Sequence, residues 1–296
     1  MAGKKKLLLI DANSLIHRAY HALPPLTSKG GKPAGALYGL SSMLLKIIKE
    51  RRPEYIAAAF DRPEPTKREE EYAEYKATRP PAEESLVSQL IESRELFKKF
   101  GIVSFERPGY EADDLVASLA EKFKNDGLDI VIFSGDQDLF QMVEDGKIVV
   151  ETPLKGIRNS VVYDGVGVKE KFGVPPDKVA DYKGLVGDVS DNIPGVPGVG
   201  PKTAAGLIEK YGSVENLVKE FREIGLSEAK VADKLKGKEE QALMSKRIAV
   251  ILKDVPLDTD LESLRLKLDK NALGKYFEEL GFSSLSSRLQ TLDIES

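Results

Sequence analysis

The stretch PGYEADDLVASLA, residues 108–120, places Glu111, Asp113 and Asp114 at the start of a helix whose apolar stripe is Leu115, Val116 and Leu119. Acids at a helix N-terminus complement the macrodipole by about 0.3–1 kcal/mol each. They also repel: two unit charges about 4 Å apart interact by roughly 4 kcal/mol at an effective dielectric near 20. The nearest cations in sequence are Arg107 and Lys122. Six further acids stand at comparable places. Asp11 closes the apolar run Lys5–Ile10, Asp61 closes Tyr55–Phe60, Asp136 and Asp138 follow Asp129–Phe133 in SGDQDLF, and Asp188 and Asp191 lie in GDVSD. Gathered in one cleft without matched cations, these carboxylates would require divalent metal. Two ions roughly 3.5–4 Å apart would neutralise them and clamp the attacking and leaving oxygens of a phosphoryl displacement.

The rest of the composition narrows the metal. There are no cysteines, which excludes disulfides, thiolate zinc and cysteine nucleophiles. Two histidines, His17 and His21, make a histidine metal site or a Ser-His-Asp triad a poor reading. Oxygen ligands point to Mg²⁺ or Mn²⁺.

These acids must be brought together by the elements they terminate. The first half alternates: strand Lys5–Ile10, helix Gly35–Lys49, strand Tyr55–Phe60, helix Glu84–Phe100, short strand Ile102–Phe105, the acidic helix, then strand Asp129–Phe133. Alternation of this kind predicts an α/β fold with a mostly parallel central sheet flanked by helices. Ligands of such sheets bind at the carboxyl ends of the strands, where the acids fall. Glu111 is expected to precede the regular helix, because positions 111 and 113 cannot share one helical face. After about Gly173 the chain reads as short helices broken by Gly and Pro, so we divide it into 1–173, an α/β core, and 174–296, a helical region that reaches back with Asp188 and Asp191.

With 296 residues, 41% hydrophobic and 31% charged, the chain can bury a sizeable core. No stretch approaches a membrane span, and the basic start MAGKKK precedes too short an apolar run for a signal peptide, so the cytoplasm is the default expectation and no membrane partner is expected. The net charge of −4 argues against nucleic acid only until the nine acids are set aside; what remains is positive.

Five motifs, LIDANSLIHRAYHAL, AFDRPEPTKREEEYAEYKATRP, GYEADDLVASLA, FSGDQDLFQ and GDVSDNIPGVPGVGPKTA, stand in an order and spacing that resembles the 5′-nuclease (5′-3′ exonuclease) domain of bacterial DNA polymerase I, within the flap endonuclease superfamily. The resemblance runs over nearly the whole chain. It implies a PIN/resolvase-like core followed by a helical region with a helix-hairpin-helix. It also implies a structure-specific 5′-3′ exonuclease or 5′-flap endonuclease that hydrolyses DNA by a two-metal mechanism in primer removal and repair. The implied protein is a monomer at the bacterial nucleoid, acting on 5′ flaps and nicked or branched duplex, alone or with a DNA polymerase. By resemblance, Asp11, Asp61, Glu111, Asp113 and Asp114 surround a first metal, and Asp136, Asp138, Asp188 and Asp191 a second.

Within the hairpin, Gly195, Gly198 and Gly200 let backbone approach a phosphate. Pro201 suits a first helical turn, and Lys202 and Thr203 stand at an anion-binding helix start. The family hairpin commonly binds K⁺. Residues 62–81 resemble the family's arch or clamp for a single-stranded 5′ end. Arg68, Lys76 and Arg79 match its basic positions, and Tyr72 and Tyr75 could stack on bases. Lys76 and Arg18 are the candidates for electrostatic help in catalysis. Two other readings stay open at this point: a haloacid dehalogenase-like phosphatase using the Asp136–Asp138 pair, and a DNA-binding module without catalysis.

Overall fold

The structure is a computed structural model that describes residues 4–154, 159–225 and 229–292. The first three residues of the basic start and the last four of the helical region lie outside the described residues.

Six strands form one sheet: β1 (Lys6–Asp11), β2 (Tyr55–Ala59), β3 (Val103–Phe105), β4 (Asp129–Phe133), β5 (Ile148–Pro153) and β6 (Ser160–Tyr163), in the order β3-β2-β1-β4-β5-β6. All neighbours are parallel except β5 and β6. The strand order reverses direction between β1 and β4. There the connections diverge to opposite sides and leave a crevice at the carboxyl ends.

Alternation along the strands sends side chains to two cores. Leu7, Leu9, Ala57, Ala59, Ile130 and Ile132 point to one face, covered by α5 (Ala112–Phe123). Leu8, Ile10, Ile56, Ala58, Val131 and Phe133 point to the other, covered by α1 (Ala12–Ala22), α2 (Gly35–Arg51) and α4 (Glu84–Lys99). Both faces are apolar, as expected of strands buried on both sides.

The hairpin of β5 and β6 was not foreseen from KIVVETP. The reason is Glu151, 1% exposed, which breaks the apolar run. It is held by Arg51 through Nε at 2.7 Å and Nη2 at 2.6 Å.

Helix α6 (Gly165–Phe172) closes the first part, and the second begins with α7 (Val179–Val186). It continues through α8 (Pro201–Tyr211), α9 (Val214–Ile224), α10 (Ala229–Leu235) and α11 (Glu239–Ala249). Buried residues of these helices, among them Leu185, Leu207, Leu217 and Leu235, join the core on the α5 face, so the hydrophobic interior is continuous across residue 173. The chain then returns. Lys267 O lies where a Cβ on Gly101 would sit, 2.0 Å away, and Gly101 has φ +70°, so this crossing demands glycine. Helices α12 (Lys270–Leu280) and α13 (Ser283–Gln290) leave the helical region and pack on the opposite face, against α2 and α4.

Phe277 anchors that return: it is fully buried, with ring centroids 6.0 Å from Phe100 and 6.2 Å from Phe282. Phe277→Ala is expected to lower stability by about 3–5 kcal/mol in denaturant titration. A loss below about 1 kcal/mol would mean that α12 is an appendage rather than part of the core.

Candidate active site

A cavity of about 1000 Å³ opens at the carboxyl ends of the strands, and eight of the nine acids line it: Asp11, Asp61, Glu111, Asp113, Asp136, Asp138, Asp188 and Asp191. Each is placed by local backbone. Asp11 is the last residue of β1 and caps α1, its Oδ1 accepting from Ser14 N at 3.1 Å. Asp61 accepts from Ala112 N at 2.7 Å and so joins the end of β2 to the start of α5. Glu111 is the N-cap of α5, ahead of the regular helix as expected. Asp136 Oδ1 accepts from Asp138 N at 2.8 Å. Asp188 and Asp191 lie in a loop closed by paired hydrogen bonds between Asp188 and Ile193.

The ninth acid, Asp114, does not line the cavity. Its oxygens accept from Arg68 Nη1 and Nη2, Glu111 N and Leu252 N. Both oxygens are already hydrogen-bonded, which sets Asp114 apart from the eight acids of the cavity.

The acids are also not without cations, contrary to expectation. Arg68 pairs with Glu111 and Asp114 at 2.9 and 2.7 Å. Lys76 Nζ donates to Glu111 Oε1 at 2.7 Å, and Arg79 Nη2 to Asp191 Oδ1 at 2.6 Å. Lys183 contacts Asp138 and lies 2.7 Å from Asp188 Oδ2. Lys183 was missed because nothing in KGLVGD sets it apart from a surface lysine; only the helical turn of α7 aims it inward.

Compensation is uneven, and the protonation energetics follow it. Burial pushes the Asp11 carboxyl up from 3.8 to about 7, with Asp136 and Asp61 adding to the shift. Asp61, Asp113 and Asp136 are likewise raised, in each case chiefly by burial. Asp188 behaves oppositely: burial would raise it, but Lys183 and Ser190 hold it below its ordinary value. Asp11, Asp61 and Asp136 have only neutral hydrogen-bond donors, and Asp113 is 3.6 Å from the nearest Arg68 nitrogen. These four are the acids least compensated by the chain's own cations, so their charged forms are the ones an external cation would stabilise most. An all-oxygen donor set with excess negative charge fits a hard divalent cation. Among the described residues, no three acids are yet grouped tightly enough to enclose an ion.

Comparison with known proteins decides the family. The family model of the 5′-3′ exonuclease N-terminal resolvase-like domain matches residues 6–173, and that of the 5′-3′ exonuclease C-terminal SAM fold matches residues 174–272. The chain belongs to the 5′-3′ exonuclease family. The chain is 40% identical to the 5′-3′ exonuclease of Aquifex aeolicus, over 95% of this chain and 94% of that one. It is 42% identical to DNA polymerase I of Caldicellulosiruptor bescii over 96% of its own length. It spans only about a third (33%) of that polymerase. Its fold is shared by T5 5′-exonuclease solved with zinc, at TM-score 0.68 and 20% identity, covering 97% of this chain and 98% of that one. A T5 flap endonuclease complex with DNA and metal ions superposes at 0.69 with 19% identity and the same coverage. Membership in a nuclease family removes the phosphatase reading.

The exonuclease's remaining site residues are placed as follows. Arg18 does not line the cavity: its Nη2 donates to Pro153 O, and its Nε is buried without a hydrogen-bond partner. Arg68 is 7% exposed and Tyr75 4%. The Tyr75 hydroxyl donates to Glu111 and Asp191 at 3.0 and 3.1 Å, so base stacking is closed to it, as phosphate contact is to Arg68. Tyr72 is half-buried against the small cluster of Tyr75, Ile193, Ile248 and Ala249. Lys76, at φ +55°, and Arg79 line the cavity.

In the hairpin, Gly195 is interior. A Cβ there would lie 2.3 Å from Gly187 N, and its own N–H and carbonyl bond Ser245 and Gln241. Gly198 is exposed, and Gly200 caps α8 with open space around it. Lys202 is exposed and Thr203 half-buried in the first turn. Three positions missed in sequence serve the acids: Asn13 Oδ1 accepts from Asp61 N, Ser14 N donates to Asp11 Oδ1, and Ser134 Oγ donates to Asp11 Oδ2 at 2.7 Å. Their only signal was adjacency to an acid.

The raised pKa of Asp11 carries a sign. The folded protein binds this proton more tightly than the unfolded chain, so stability is lost as pH rises from about 4 through 7. Asp11→Asn is therefore expected to melt above the parent at pH 8 in EDTA, with the gap closing toward pH 4. Identical melting of the two at pH 8 would show that Asp11 is not under electrostatic load.

Proposed function

We propose that this exonuclease is a divalent-metal-dependent, structure-specific 5′-nuclease. It cleaves DNA phosphodiesters near the junction of a 5′ flap or 5′ end with duplex, as primer removal and repair require. The observation that supports this reading is one cavity, at the sheet's carboxyl ends, lined by eight carboxylates and by two cations from residues 62–81. We assign the ions as Mg²⁺ or Mn²⁺, two or more, held by Asp11, Asp61, Glu111 and Asp113 on one side and by Asp136, Asp138, Asp188 and Asp191 on the other. Bound there, they supply Lewis-acid activation of water and neutralise charge developing on phosphate oxygens.

The protein's own groups do the rest. Lys76 and Arg79 reach the acids from the segment that crosses the cavity. They are the groups placed to exchange a carboxylate for a phosphate oxygen as substrate arrives. The α8 N-terminus, with Gly198, Gly200, Lys202 and Thr203, offers backbone N–H groups and charge to duplex phosphates without reading sequence. K⁺ is proposed for the hairpin carbonyls; Gly198 O is held at present by the Lys234 ammonium at 2.6 Å. Helices of the described residues are not long and apolar enough to cross a membrane. We place the protein in the bacterial cytoplasm, at the nucleoid, as a monomer working with or joined to a DNA polymerase of the kind its relatives are named for.

Lys76→Ala on a flap substrate tests the reading. Affinity is measured in Ca²⁺ and single-turnover rate in Mg²⁺. A catalytic role predicts a rate loss much greater than the affinity loss. If affinity alone falls, with the log–log salt slope reduced by about 0.9, Lys76 is an ordinary phosphate contact.

Gly200→Val tests the hairpin. Its φ of −92° accepts a side chain without strain, and no atom lies within 4 Å of the new Cβ. Duplex affinity should fall about equally for all sequences, with melting unchanged. An effect confined to particular base sequences would argue against phosphate positioning.

A further inference from the structure

Arg68 uses all five of its N–H groups, and none faces the cavity. Nε donates to Ile248 O at 3.1 Å. Nη1 donates to Glu111 Oε2 at 2.9 Å and Asp114 Oδ2 at 3.0 Å. Nη2 donates to Asp114 Oδ1 at 2.7 Å and Val250 O at 3.0 Å. A phosphate-binding arginine would keep donors free. This one is saturated, 7% exposed, and spread over three parts of the chain: the segment over the cavity, the start of α5, and the turn that ends α11.

The consequences fall differently on its acidic partners. Asp114 receives two donors from Arg68 and one each from Glu111 N and Leu252 N, which leaves neither oxygen for an ion. Glu111 gives Arg68 one oxygen, Oε2, and turns the other, Oε1, to Lys76 at the cavity. Asp113 stays at the cavity, 3.6 Å from Nη1. One buried guanidinium thus sorts three neighbouring carboxylates into a tie and two site groups.

We propose that Arg68 is a positioning residue of the metal centre. It takes Asp114 out of the ligand set, aims Glu111 and Asp113 into the cavity, and fastens residues 248–252 of the helical region to the same helix start. The reason for arginine is geometric as well as electrostatic. A lysine would supply the charge but not five donors in a fixed planar fork. This inference rests on the metal-dependent reading of the site.

The test measures Ca²⁺ binding without DNA by calorimetry and single-turnover flap cleavage in Mg²⁺, each on variants shown to melt cooperatively. Arg68→Met leaves Asp114 unopposed and Glu111 with Lys76 alone, so Ca²⁺ should bind on the order of tenfold more tightly. Cleavage should nevertheless fall by about 10–100-fold, as for other groups that orient metal ligands. Arg68→Lys separates the two effects, with Ca²⁺ affinity within about twofold of the parent while cleavage stays low. Asp114→Asn should bind as many ions as the parent, whereas Asp113→Asn should lose one. If Arg68→Met does not fold, the lysine and Asp114 variants decide the matter. Parental cleavage by Arg68→Lys, or loss of an ion in Asp114→Asn, would overturn the proposal. A parent protein that neither binds Ca²⁺ nor cleaves would instead overturn the reading of the site and leave Arg68 a core ion pair.

Discussion

Negative charge out of contact with bulk water is the constraint on which this structure turns. A carboxylate moved into a protein interior loses several kcal/mol of hydration unless something replaces it. Here nine are placed within one region, and the fold answers in two ways. Glu111, Asp114, Asp138, Asp188 and Asp191 receive guanidinium or ammonium groups from the chain itself. Asp11, Asp61 and Asp136 receive only hydroxyl or backbone N–H groups, and Asp113 a backbone N–H and a guanidinium no closer than 3.6 Å. The second set is a standing demand for external positive charge. The first is what allows the protein to fold before that charge arrives.

Sheet topology makes the demand local. The reversal of strand order between β1 and β4 opens the crevice, and the site acids of the first half stand at a strand end, in the turn after it, or in the first turn of the helix that follows. Hydrogen bonds then set the distances. Asp61 bonds the backbone of α5, Asn13 bonds the backbone of Asp61, and Ser134 bonds Asp11. The two-sided core fixes the strands that carry these residues. Phe277 and its neighbours contribute from the far face, because a strand buried on both sides cannot slip its register without exposing an apolar row.

Much of this was legible in sequence. Asp11 and Asp61 could be placed because each closes an apolar run where the chain must turn, Glu111 because it and Asp113 cannot share one helical face, and the strand Asp129–Phe133 was read to the residue. What could not be read was pairing across distance. Arg68 and Lys76 lie eight positions apart in one charged segment and look alike there, yet one is interior and saturated while the other lines the cavity. Tyr75 and Tyr72 divide similarly. Gly195 and Gly200 share a motif, but one packs against Gly187 backbone and the other stands in open space. Residue type predicts what a group can do; only tertiary contact decides whether its donors are already taken.

The same cation accounting bears on residues 62–81. The segment is no free-standing basic arm. Arg68, Tyr75, Lys76 and Arg79 all reach carboxylates, and Lys76 N and Asn192 Nδ2 tie its backbone to the Asp188–Asp191 loop. Its contacts differ in how readily they can be exchanged. Arg79 is half exposed and Lys76 lines open volume, so water or phosphate can take their places at modest cost. Arg68 is sealed, and breaking its ties would strand a buried charge, the costliest event in such a network. Under the proposed function, divalent ions would compete with Lys76 and Arg79 for Glu111 and Asp191, and each cation so displaced would be free to meet a phosphate. That reading couples metal loading to substrate capture through the same carboxylates, with Arg68 as the fixed point.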